Sequence, residues 1–214
     1  MAVVTISREY GSAGSEVARK AADLLGYKLV DKAAIGRILA GYGLIDFEKE
    51  YEMETNIWST FDTRLRTIVT MLERVAFAVA RRGGSIILGR GSYVVLSGLP
   101  GVLNVRLRAP FDWRVDRVMR EEGHSDRERA EAAVKEGDKV RSSFLSSVYG
   151  IRWDSSERFD LIMDTSKIGV EQAAAWIAEA ARGIGMDPPS FGRGPAAPDP
   201  VLDQAVAAEL ERAK

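Results

Sequence analysis

The chain contains no cysteine among its 214 residues. Disulfides, thiolate metal centres and cysteine nucleophiles are thereby excluded together. Histidine occurs once, at His124, in the polar run Glu122-Gly123-His124-Ser125. A cluster of histidine metal ligands is impossible, and a serine–histidine–aspartate triad would depend on a residue that reads as a solvated loop position. An excess of one charge is also missing: 30 Lys and Arg face 31 Asp and Glu, for a net charge of -1. No global field draws the chain toward nucleic acid or an anionic membrane, so an anion site must be a local cluster of cations. No apolar run approaches the length of a membrane span. Residues 1–6 carry no basic leader, and a cytoplasmic protein with neither nucleic-acid nor membrane partners is expected.

What is present suits one domain with a sizeable core. Hydrophobic residues make up 46% and charged residues 29%, as in ordinary soluble domains. Short apolar runs alternate with helical patterns, which predicts an α/β fold with a parallel sheet. Strands are predicted at 3–7, 27–30, 85–88, 102–107 and 161–163. The last four are apolar, too short for helices and bounded by Gly, Pro or Asp, as in strands buried on both faces. Helices are predicted at 14–25, 32–40, 62–82, 112–121, 125–145 and 169–181. In the third, Ile68, Leu72, Val75 and Val79 share a face expected to pack on the sheet. Residues 183–200 are rich in Gly and Pro and read as a linker. Beyond it, Leu202, Val206 and Leu210 recur every fourth residue, which predicts a short amphipathic helix over 201–214, held only by weak docking or by a partner.

The first strand runs into Ser7-Arg8-Glu9-Tyr10-Gly11-Ser12-Ala13-Gly14-Ser15-Glu16, and a helix comes next. A strand, a small-residue loop and a helix N-terminus form an anion site, because backbone N–H groups point inward and the helix dipole adds to them. Gly11 and Gly14 permit the close approach of a phosphate. An ordinary strand-to-helix turn explains the same residues, and no Lys succeeds Gly14 as the strict phosphate-loop pattern requires.

The loop with its preceding strand, Ile6-Ser7-Arg8-Glu9-Tyr10-Gly11-Ser12-Ala13-Gly14, resembles the opening of the cytidylate kinase-like family. Leu25-Gly26-Tyr27-Lys28-Leu29-Val30-Asp31-Lys32, Ile87-Leu88-Gly89-Arg90-Gly91, the stretch 106–119, Asp138-Lys139-Val140-Arg141 and Phe159-Asp160-Leu161-Ile162-Met163-Asp164-Thr165-Ser166 continue the resemblance in order. Together these cover roughly 3–182, the expected catalytic domain. The resemblance implies a three-layer P-loop kinase-type fold with a five-stranded parallel sheet, a helical insert at about 41–82 and a mobile lid at about 123–150. It implies ATP and Mg²⁺ as cofactors, with CMP, dCMP or a related small molecule as acceptor. Gly11, Ser12, Ala13, Gly14, Ser15 and Glu16 would cradle the donor phosphates, with Arg114 and Arg117 beside them. Arg37 and Arg90 would hold the acceptor phosphate, and Asp31 is either an acceptor contact or a helix N-cap. Asp138, Lys139 and Arg141 would act from the lid. Ile57, Trp58 and Phe61 in the insert are candidates for a homodimer contact.

The sequence departs from the family's pattern in the loop, at Ser15 and Glu16, and in the lid, where Gly137 and Val140 leave it less basic than in cytidylate kinases. Ser15 stands where many relatives carry a basic residue, and Glu16 stands where a hydroxyl often binds Mg²⁺. Glu16 is therefore the candidate metal ligand, directly or through water, the alternative being that it repels phosphate, and Arg8, Arg19 or Lys20 would have to replace the missing cation. Two readings result: a phosphotransferase, or a catalytically weak nucleotide-binding protein on the same scaffold.

Overall fold

A computed structural model describes residues 1–44, 63–89, 91–123, 126–184 and 198–212, with only the backbone described at 63–65. The expectations for Arg90, His124, the dimer contact at 57–61 and most of the linker fall outside these residues. Five strands form one all-parallel sheet: β1 (Val3–Arg8), β2 (Lys28–Val30), β3 (Ser85–Leu88), β4 (Val102–Arg108) and β5 (Leu161–Asp164). Their spatial order is β2-β3-β1-β4-β5. The first strand is therefore central, and the chain leaves it between two neighbours that it reaches only later. Open parallel sheets leave a crevice at such a switch of order, outside the carboxyl ends of the strands.

Eight helices are described: α1 (Gly14–Leu25), α2 (Lys32–Gly41), α3 (Thr63–Arg82), α4 (Ser92–Val95), α5 (Phe111–Glu122), α6 (Arg127–Tyr149), α7 (Val170–Gly183) and α8 (Pro200–Arg212). The two-residue period of the strands divides the core into two layers. Val4 and Ile6 of β1, with Ile86 and Leu88 of β3, face Val17 and Ala21 of α1 and Ala174 and Ile177 of α7. Val3 and Ile87 face the opposite way, toward Ile38 of α2 and Leu72, Val75 and Val79 of α3. The face expected of α3 is thus the one buried. Thr5, buried inside β1, donates its hydroxyl to the Asn104 side chain of β4 at 2.6 Å.

The final helix corrects one expectation. It is not weakly docked: Leu202 is 1% exposed and Val206 is 0% exposed, and both belong to the same cluster as α2 and α3. Asp199 caps the helix and ties it down. It accepts from the Tyr42 hydroxyl at 2.8 Å and from Arg74 at 2.8 Å, while Arg81 bonds Asp203 at 2.6 Å. A four-residue spacing of apolar side chains gives the buried face but not the partner that buries it. Here the partner is the outer side of α2 and α3.

Candidate active site

The loop 9–13 leaves β1 at the carboxyl edge of the sheet and enters α1. Gly11 has φ 78°, and a Cβ there would meet the Arg114 carbonyl at 3.0 Å. Ala13, the N-cap of α1, has left-handed φ 58° and supplies no capping side chain. A non-glycine residue in that region is held there by its surroundings. Ser12 provides part of the hold: its hydroxyl donates to the Glu9 carbonyl at 2.8 Å, and its carbonyl accepts from the Thr165 hydroxyl at 2.9 Å. The opening turn of α1 therefore presents amides without a side-chain cap, with the Arg8 stem packed against Gly14, an arrangement that favours an anion.

A network of paired charges braces the loop from beneath. Glu9 accepts from the Ala109 amide at 3.0 Å and lies 3.5 Å from Arg114 and 3.7 Å from Arg106. Arg114 donates to the carbonyls of Ala109 at 3.0 Å and Tyr10 at 2.9 Å, and to Asp138 at 2.6 Å. Asp138 also accepts from the Tyr10 amide at 2.9 Å. Arg106 donates to the Trp153 carbonyl and lies over the rings of Trp153 and Phe159, with centroids at 4.7 and 5.7 Å. Burial pulls its pKa below the usual arginine value, and Glu9 opposes that pull. Charges taken this far out of water persist because each has a partner.

Two clefts open on either side of Arg8. One, of about 200 Å³, is lined by Arg8, Tyr10, Gly89, Tyr93, Arg141, Phe144 and Trp153, among others. The Arg8 guanidinium fills the space that a side chain at Gly89 would need. The other, of about 340 Å³, is lined by Arg8, Ser15, Arg19, Asp31, Lys32 and neighbouring apolar residues. Ser15 thus shares a cleft with three cations, two of which, Arg8 and Arg19, are among those expected to compensate for it. Lys20 is directed elsewhere and bonds Glu171 at 2.9 Å.

Several expected site residues have other partners here. Arg114 is buried beneath the loop rather than open to a donor phosphate. Glu16, the expected metal ligand, is paired with Arg117, which also lies 2.5 Å from Glu121. No group of three or more acidic or histidine side chains placed to hold a metal occurs among the described residues. Asp31 caps α2 by accepting from the Ala34 amide at 2.9 Å, and it also borders the second cleft. Arg37 forms a two-pronged pair with Glu209 of α8, at 2.6–3.0 Å. Lys139 is exposed and pairs with Glu136 at 3.8 Å. Arg141 does reach the first cleft. Sequence reasoning missed the aromatic wall of Tyr10, Tyr93, Phe144 and Trp153. Its members come from four separate segments and carry no local pattern.

The strand order and the glycine turn at the end of the central strand define a P-loop kinase-type fold. A sequence model of the cytidylate kinase-like family matches residues 3–167, and the chain belongs to that family. A cytidylate kinase of Ignicoccus hospitalis is 31% identical over 174 residues, covering 80% of this chain and 94% of that protein. A uronate isomerase of Corynebacterium glutamicum is 31% identical over 96 residues, 45% of this chain and only 18% of that protein. Among solved structures, an uncharacterized protein from Eubacterium ventriosum superposes with a TM-score of 0.65 at 22% identity, covering 85% of this chain and 98% of its own. Shikimate kinase from Acinetobacter baumannii superposes with a TM-score of 0.51 at 17% identity, covering 87% and 96%. These two likenesses show the shared fold. No helix among the described residues is long and apolar enough to cross a membrane.

Proposed function

We propose that the chain is a nucleotide kinase that transfers a phosphoryl group from ATP to a small anionic acceptor, with CMP and dCMP as first candidates. The observation that carries this reading is the uncapped, glycine-framed N-terminus of α1, flanked in sequence by Arg8, Tyr10 and Ser15, which line two cation-bearing clefts that share Arg8. Phosphoryl transfer needs positioning and neutralisation of negative charge far more than covalent chemistry, and a site without Cys or His is adequate for it. The donor phosphates would lie on the amides of residues 11–15. Arg8 would face the phosphoryl group in transit, and Arg141 would close on it from α6. Magnesium supplied with ATP would add positive charge against the phosphates. Glu16 fits a metal poorly, because Arg117 already neutralises it. Arg37 would serve the acceptor only after leaving Glu209.

One observation favours a second reading, a nucleotide-binding protein with weak turnover: Ser15 supplies no charge from within the loop. A thermal-shift series with ATP, ADP, CMP and dCMP, then ADP-release kinetics with each acceptor, separates the two. Stabilisation by ATP with steady turnover supports the kinase. Stabilisation without turnover supports the second reading, and no stabilisation by any nucleotide removes both.

A further inference from the structure

Tyr10 is the joint between the loop and α6. Its amide donates to Asp138 at 2.9 Å and its carbonyl accepts from Arg114 at 2.9 Å. Its hydroxyl donates to Glu122 at 2.7 Å. Burial and that bond push its pKa up to about 12, so the phenol stays protonated at neutral pH. The ring lies directly against Gly137, where a Cβ would come within 2.5 Å of it. Gly137 is inside α6, a position where glycine is unfavourable and is explained by this close approach. One turn further along α6, Arg141 donates to the Gly137 carbonyl and sets its guanidinium over the Tyr10 ring, 5.3 Å from the centroid. Tyr10 and Arg141 line the same cleft.

We propose that Tyr10 is a positioning residue whose ring seats Arg141 at the cleft, with Gly137 as the gap that lets the ring approach. This rests on the kinase reading of the cleft. A ring face attracts a guanidinium through its quadrupole and fixes its plane. The backbone ties of Tyr10 to Asp138 and Arg114 fix the residue within the phosphate loop, and close packing against Gly137 fixes its ring. The arginine is thereby registered to the loop rather than to its own helix alone.

The test is a mutant cycle on Tyr10 and Arg141 with ATP and CMP as probes. Tyr10→Phe keeps the ring and should stay within about twofold of wild-type kcat. Tyr10→Leu should lower kcat about tenfold while the KM for ATP moves less than about threefold. In an Arg141→Ala background, Tyr10→Leu should cost less than about twofold more, because its route of action is already gone. If the leucine variant does not fold, Arg141→Lys, which keeps the charge but not the planar group, is the substitute and should itself lower kcat about tenfold with the KM for ATP nearly unchanged. Full additivity of Tyr10→Leu and Arg141→Ala overturns the proposal, as does a Phe variant as impaired as Leu. If wild type turns over neither CMP nor dCMP, the kinase reading falls, and hydrogen exchange decides the positioning role. Faster exchange over 137–145 in Tyr10→Leu but not in Tyr10→Phe upholds it, and equal exchange in both overturns it.

Discussion

Substituting Leu202 by alanine tests whether α8 is part of the core. Leu202 is 1% exposed and packs in the cluster that joins α2 and α3 to the sheet. Leu→Ala at buried sites costs about 2–5 kcal/mol, the spread depending on how far the surroundings close over the gap. A helix at the margin of the fold is able to shift inward, which favours about 2–3 kcal/mol. For a protein of this size each kcal/mol lowers Tm by about 2–4 °C, so a drop of about 4–12 °C is expected in calorimetry or circular dichroism. Deleting residues 198–212 removes Leu202 and Val206 together and should cost about 3–6 kcal/mol by burial alone. The deletion also leaves apolar surface of α2 and α3 in water, and light scattering should detect association. An unchanged Tm in both variants, within about 2 °C, would mean that the helix does not occupy this site in solution, and the ion pairs to Asp199, Asp203 and Glu209 would fall with it.

The Arg37–Glu209 pair should respond unequally to its two halves. Arg37→Ala strands a buried carboxylate and should destabilise by about 1–3 kcal/mol, reduced from a fully buried case because Arg37 is half exposed, whereas Glu209→Ala should cost less than about 1 kcal/mol. If Arg37 serves the acceptor, Glu209→Ala should also tighten CMP in calorimetric titration. Asp199 is held below its ordinary value of 3.8, chiefly by the Tyr42 hydroxyl and also by amides of its own helix. The unfolded chain therefore binds this proton more readily, and the stabilisation is present above about pH 3.8 and lost as pH falls below it. Thermal melts of Asp199→Asn should lie below wild type at pH 7, and the gap should close toward pH 3. Gly11→Ala places a side chain at positive φ and against the Arg114 carbonyl; a loss of about 1–3 kcal/mol in urea titration is expected, together with weaker ATP binding. Ser15→Lys adds a cation to a cleft that already has three, so ATP affinity should rise, by less than the roughly 1.5–3 kcal/mol of a charge-assisted bond to an otherwise unmet phosphate. Looser ATP binding in that variant would mean that the loop is wired differently.

The sheet was legible because its strands are short apolar runs with punctuated ends, and each observed strand lies within a residue or so of its expected span. Helix α1 begins and ends where the glycines at 14 and 26 suggest. Helix α4 escaped notice because four residues are too few to show a period. The site was legible only as a place. Glycines and a helix start are local features, and they located the loop correctly. Arg114, Arg37 and Glu16 were read as free to meet ligand because their counter-ions lie 24, 172 and 101 residues away in sequence. Nothing in a local pattern reports such a partner. The same holds for Trp153, whose carbonyl meets Arg106 across 47 residues.

The clasp of α8 over α2 also orders events in time. The Arg37–Glu209 contact spans 172 residues. At about 5–20 residues per second of synthesis, the second helix of a nascent chain waits roughly 10–30 s for the segment that covers it. By the time residue 164 is made all five strands exist, while the side of α2 and α3 that α8 covers still lacks its partner. Such an intermediate depends on dilution or a holding factor, and fusions that delay release of the last residues would lengthen its exposure. A bulky fusion attached after residue 214 is therefore expected to lower expression yield more than the same fusion attached before residue 1.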